Sequence, residues 1–88
     1  MSMYKLELAK SVTKDFNKIA HKMHPSLIDA IEDLTSNPFP ETKFKKLKGT
    51  LHSFRLRIGD YRIIYDVDET LMQIKVYRVR HRKDVDKH

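Results

Sequence analysis

All six arginines of this 88-residue chain lie beyond residue 54, and three of them, Arg55, Arg57 and Arg62, flank the pair Gly59-Asp60. A guanidinium is planar and permanently charged, and it meets a phosphate through two parallel N–H donors. Several of them fixed around one phosphorus could do more than bind. When a ribose 2′-hydroxyl attacks the adjacent phosphate, negative charge builds on the pentacoordinate centre. Preplaced guanidiniums stabilise that state more than the starting one. The reaction also needs a base for the 2′ proton and an acid for the leaving 5′ oxygen. His81 is the histidine inside the basic tail, and its ordinary pKa near neutrality makes it the candidate for that transfer. Such chemistry needs no cofactor and no metal. The chain offers no evident metal site: its acids are scattered, and His21 and His24 fall at the end of a helical stretch.

Charge is distributed to match. Residues 1–40 hold five lysines and five acids, whereas residues 41–88 carry the whole net charge of +6. A polyanion partner accounts for that asymmetry better than solubility does. Lys45, Lys46 and Lys48 would line the approach to the arginines, and Arg78, Arg80, Arg82 and Lys83 would close one end, after the last strand. Cysteine is absent, which excludes disulfides and thiolate catalysis and fits a reducing compartment. No apolar run is long enough for a membrane span, so a cytoplasmic protein without membrane contact is expected.

These side chains need elements to position them. Met3 to Leu8 alternates as a half-buried strand, with Tyr4, Leu6 and Leu8 on one side. Ser11 is the expected cap of a helix carrying Val12, Phe16, Ile19 and Met23 at helical spacing, with Lys14, Asp15, Asn17 and Lys18 on its wet side. Pro25 suits the first turn of a second helix, whose stripe is Leu27, Ile28, Ile31 and Leu34. Asn37-Pro38-Phe39-Pro40 ends it. Residues 43–49 read as a loop or short turn. Phe54, Leu56 and Ile58 alternate with Arg55 and Arg57. Tyr61, Ile63, Tyr65 and Val67 alternate with Arg62, Ile64 and Asp66, and Met72, Ile74 and Val76 form a last strand. The class is α+β, in the order β-α-α-β-β-β: a small, mainly antiparallel sheet packed on a helical hairpin, one domain over residues 1–88. If the apolar parity faces the helices, Arg55, Arg57 and Arg62 face away. Asp60 and Asp66 could relieve their mutual repulsion, and Tyr77 could stack on an unpaired base.

The runs Lys46-Leu47-Lys48-Gly49, Phe54-Arg55-Leu56-Arg57-Ile58-Gly59-Asp60-Tyr61-Arg62-Ile63-Ile64-Tyr65 and Val79-Arg80-His81-Arg82-Lys83-Asp84-Val85 together resemble the RelE branch of the RelE/ParE toxin superfamily. The resemblance spans nearly the whole chain. It implies a toxin of a type II toxin–antitoxin pair that enters the ribosomal A site and cleaves the mRNA codon there, leaving a 2′,3′-cyclic phosphate. It implies a RelB-like antitoxin partner, with operator DNA reached only through the toxin–antitoxin complex. Arg62 matches the family arginine at the scissile phosphate, and Arg82 the C-terminal catalytic arginine. Arg55 falls where some members place a catalytic lysine, and Arg57 matches a basic RNA-binding position. Ser53 stands where another lysine can occur, and Asp86 stands where many relatives keep a tyrosine. The Asp86 departure leaves open slow cleavage, a different base such as His81, or a form that binds only RNA or antitoxin. A ParE-like gyrase poison is the other alternative on the same fold.

Overall fold

The computed structural model describes residues 3–39, 44–46 and 53–85. Strand β1 (Lys5–Leu8) is followed by helix α1 (Lys10–Asn17), a 3-10 turn over His21–Met23 and helix α2 (His24–Ser36). Then come β2 (Phe44–Lys46), the meander β3 (Ser53–Ile58), β4 (Tyr61–Asp68) and β5 (Gln73–His81), and a short helix α3 (Arg82–Val85). Among the described residues the strands form one sheet in the order β1-β5-β4-β3-β2. All neighbours are antiparallel except β1 and β5, which run parallel. The expected layering of a mainly antiparallel sheet on a helical hairpin is present. Among the described residues, no helix is long and apolar enough to cross a membrane.

Four expectations are corrected in detail. The stretch taken as a loop contains β2, which pairs with β3 and extends the sheet. Ser11 is not the helix cap: Ala9 holds that position, and Ser11 Oγ donates to the Tyr77 carbonyl on β5. The stripe from Val12 to Met23 is not one helix, because α1 stops at Asn17. His24 Nε2 lies 3.0 Å from both the Phe16 and Ile19 carbonyls, so its N–H serves acceptors that a longer helix would have used internally. Lastly, β1 is less buried than its alternation suggests, since it lies at the sheet edge with Leu6 and Leu8 exposed.

The core forms where the helices meet the inner face of the sheet. Val12, Ile19, Leu27, Ile31 and Leu34 pack with Phe54, Leu56, Ile63, Tyr65, Val67, Ile74, Val76 and Val79. Ile28 is turned outward, 44% exposed. Tyr65 is fully buried, and its hydroxyl donates to the Pro38 carbonyl at 2.8 Å. Its ring meets that of Phe54, which meets Phe39 edge-on. This contact ties the segment after α2 to the centre of the sheet.

Burial pushes the Tyr65 phenol well above its ordinary pKa. The unfolded chain releases this proton near pH ~10, while the folded chain keeps it. The stability held by the neutral phenol is therefore fully present below pH ~10 and declines above it, by up to about 1.4 kcal/mol per pH unit. Tyr65→Phe should cost about 1–2 kcal/mol at neutral pH, by leaving the Pro38 carbonyl unserved. It should also flatten the alkaline decline. Urea denaturation of both proteins at neutral and alkaline pH checks this, and parallel declines would contradict it.

The Gly59-Asp60 turn joining β3 to β4 has φ of +58° at Gly59, while Asp60 stays at negative φ. Positive φ at the first central residue alone is the pattern of a tight II′ hairpin, which holds the two strands in close register.

Candidate nucleic-acid interface

On β3, Phe54 and Leu56 are buried against the helices, so Arg55 and Arg57 lie on the opposite face. On β4, Ile63, Tyr65 and Val67 are buried, which puts Arg62, Ile64 and Asp66 on that same outward face. Register then decides which residues are neighbours. Arg57 is directly opposite Arg62, and Arg55 is opposite Ile64.

The last strand departs from simple alternation. Val76 pairs with Tyr65, and Arg78 pairs with Ile64, which leaves Tyr77 as an extra residue on β5. This bulge shifts the parity of everything after it. Ile74 and Val76 point inward before it, and Val79 points inward after it. Arg80 then falls directly opposite Arg62. The expectation that Arg78, Arg80 and His81 lie in a tail beyond the last strand is corrected: all three belong to β5.

Arg57, Arg62 and Arg80 thus form a row across three adjacent strands, on the face turned away from α1 and α2. Directly opposed residues in an antiparallel ladder have Cβ atoms about 5 Å apart, where like charges are destabilising. Arg57 is exposed, and Arg62 and Arg80 are half-buried. An anion laid over the row would relieve the repulsion. Arg55 lies one row further along, and Lys45 of β2 pairs with it in register. Lys46 pairs in register with Phe54. Lys48 and Asp86 lie outside the described residues.

The other candidates are placed differently. Arg82 begins α3 beside the turn at the end of the row: its N–H donates to the Asp60 carbonyl at 2.6 Å, and its Nε is 4.0 Å from Asp60 Oδ1. Both side chains are largely exposed, so the pair orients Arg82 more than it stabilises the fold. Lys83 is exposed next to it. His81 pairs with Tyr61, which shares the inward parity of Ile63 and Tyr65, and the two rings meet edge-on at 5.3 Å. Its Nδ1 accepts the Lys83 N–H at 3.2 Å. The bulge therefore sends His81 to the opposite side of the sheet from the arginine row.

Arg78 is not part of the row either. Its Nε and Nη2 each lie 3.0 Å from the Asp15 carboxylate, which also accepts the Val79 N–H at 2.9 Å. Asp15, read as part of the wet side of α1, is only 7% exposed. Sequence reading missed it. The available signal was its place three residues after Val12, on the apolar face of the helix.

Asp66 shares the outward face with Arg62 and accepts a hydrogen bond from Ser53 at 2.5 Å. Partial burial and the Asp66 carboxylate together push the Tyr77 phenol upward. Lys75 pairs with Glu7 at 3.6 Å. The outward face thus has a cationic end at the Gly59-Asp60 turn and a mixed-charge end where Asp66, Lys75 and Glu7 lie side by side.

Comparison with known proteins agrees with this architecture. Residues 6–85 match the family described as ParE toxin of type II toxin-antitoxin system, parDE. The chain is 36% identical over 66 residues to the RelE1 chain of Methanocaldococcus jannaschii, covering 73% of each. It superposes on a chain of the archaeal RelE–RelB complex from Pyrococcus horikoshii OT3 with a TM-score of 0.80 and 29% identity, over 93% of this chain and 97% of that one. A chain of the RelB–RelE antitoxin–toxin complex from Methanococcus jannaschii gives a TM-score of 0.73 and 28% identity, over 90% and 93%. Since the family match runs from within β1 to the last residue of α3, it takes in nearly all of the fold, and the chain belongs to the RelE/ParE superfamily of toxins from type II toxin–antitoxin systems.

Proposed function

We propose that this toxin is a metal-independent endoribonuclease of the cytoplasm that cleaves mRNA in the ribosomal A site by 2′-hydroxyl attack and so stops translation. The observation that carries the reading is the Arg57–Arg62–Arg80 row. Strands spaced ~4.8 Å apart set the outer two arginines about 10 Å apart, so a phosphate seated over Arg62 is within reach of both. Arg62 meets the scissile phosphate, Arg57 and Arg80 steady its neighbours, and Arg82 adds charge from the turn end. Arg55, Lys45, Lys46, Lys48 and Lys83 favour the approach of the strand. An arginine stays protonated and cannot take the 2′ proton, so the row contributes positioning and charge stabilisation. His81, on the other side of the sheet, is not assigned the proton transfer.

A RelB-like antitoxin is the proposed partner, because the similar chains from Pyrococcus horikoshii and Methanococcus jannaschii are found in complexes with RelB. Covering the cationic face would block its entry to the ribosome, and operator DNA would be met only through that complex.

The test adds purified toxin to translating ribosomes and maps mRNA ends. Cuts within the A-site codon ending in a 2′,3′-cyclic phosphate are expected, and intact codons at high toxin dose would overturn the reading. The match to the ParE description supports a second reading, poisoning of DNA gyrase. Gyrase-dependent DNA breaks in induced cells with mRNA left intact would establish that one instead.

A further inference from the structure

Helix α1 does for the second half of β5 what β1 does for the first. The pairing of β1 with β5 ends at Leu8 and Val76. Beyond that point the edge of β5 has ladder groups that need partners. Ala9 N–H serves the Val76 carbonyl, Ser11 Oγ serves the Tyr77 carbonyl, and Asp15 accepts the Val79 N–H. The same Asp15 carboxylate grips the Arg78 guanidinium through two bonds of 3.0 Å. One buried side chain therefore holds both residues that follow the bulge at Tyr77.

What the bulge decides is parity. Without the extra residue, Val76 opposite Tyr65 would be followed by Tyr77 opposite Ile64, Arg78 opposite Ile63 and Val79 opposite Arg62. Arg78 and Arg80 would then point into the core, and Val79 would point out. We infer that Asp15 is a positioning residue for the arginine row: by clamping Arg78 and the Val79 amide it fixes the bulge and places Arg80 beside Arg62. Its functional consequence rests on the reading of the row as an RNA grip. Asp15 itself touches no RNA and acts through Arg80. It also neutralises Arg78, so Arg80 is the β5 arginine that meets a polyanion.

The experiment measures the affinity of a short single-stranded oligouridylate for the purified toxin across a salt series. The proteins compared are wild type, Arg80→Ala, Asp15→Ala, Asp15→Asn and the double variant Asp15→Ala/Arg80→Ala. Loss of one phosphate contact lowers the slope of log affinity against log salt by about 0.7. Arg80→Ala and Asp15→Ala should each show that loss, and the double variant should show it once. Asn keeps an acceptor for the Val79 amide, so Asp15→Asn should recover part of the slope.

A second arm needs no RNA. The chain lacks cysteine, so Arg62→Cys/Arg80→Cys gives a clean cross-link under oxidation. Its yield should fall several-fold when Asp15→Ala is added. An unchanged slope and cross-link yield in Asp15→Ala, or the same loss of affinity in the Arg80→Ala background, would overturn the inference. If Arg62→Ala and Arg80→Ala both leave RNA affinity unchanged, the RNA-grip reading fails. The cross-link arm then decides the positioning claim by itself, and full yield without Asp15 refutes it.

Discussion

Arg62→Ala should abolish growth inhibition on induction and slow A-site cleavage by about 10²–10³-fold, roughly 3–4 kcal/mol of transition-state stabilisation. Arg62 is the middle member of the row, opposite Arg57 on one side and Arg80 on the other. Its removal takes the charge from the centre of the site, while the fold should remain. Arg62→Lys should fall between, since it keeps the charge but not the bidentate fork.

Arg78→Ala should act on stability first, and on cleavage only indirectly, through the bulge that seats Arg80. It leaves the buried Asp15 carboxylate with the Val79 amide and no guanidinium. Because the Arg78 side chain is 40% exposed, the loss is discounted to about 1–3 kcal/mol of stability. Cleavage assays paired with urea denaturation separate the two variants. An Arg62→Ala protein that cleaves at the wild-type rate would remove Arg62 from the site.

Leu27→Ala should have the largest effect on stability. Leu27 is fully buried where α2 meets the sheet. Truncating a buried leucine costs about 2–5 kcal/mol, and a domain of this size has only about 5–15 kcal/mol in all. At roughly 4–8 °C per kcal/mol, the thermal midpoint should drop by about 10 °C or more. The neighbouring Ile28→Ala should cost less than about 1 kcal/mol, since that side chain is 44% exposed. Calorimetry of the two variants checks which face of α2 seals the core, and equal losses would mean that the helix sits in a different rotation.

Much of the fold is legible in local pattern. Alternation at Phe54–Ile58 and Tyr61–Val67 specifies two strands and their inner faces. Pro25 and the stripe Leu27, Ile31 and Leu34 specify a helix with one buried side. Both patterns record how a single element divides water from core. Ile28 looked like a member of that stripe, but its rotation on α2 depends on what the helix packs against. The span of α1 was harder to read for a related reason. Val12, Phe16, Ile19 and Met23 keep helical spacing, but His24 takes carbonyls at the end of the helix from the next element, and a contact of that kind has no period.

The candidate site divides in the same way. By itself the sequence determined that Arg55, Arg57 and Arg62 share the outward face, because charge and period two are local properties of β3 and β4. It also determined that the basic balance lies in residues 41–88. Only the tertiary structure decided which arginines of β5 join them. Strict alternation from Ile74 and Val76 would have sent Arg80 inward and His81 outward, and the bulge at Tyr77 reverses both. That bulge depends on register with β4 and on Asp15 reaching across from α1, and neither long-range contact leaves a repeat that local spacing could disclose.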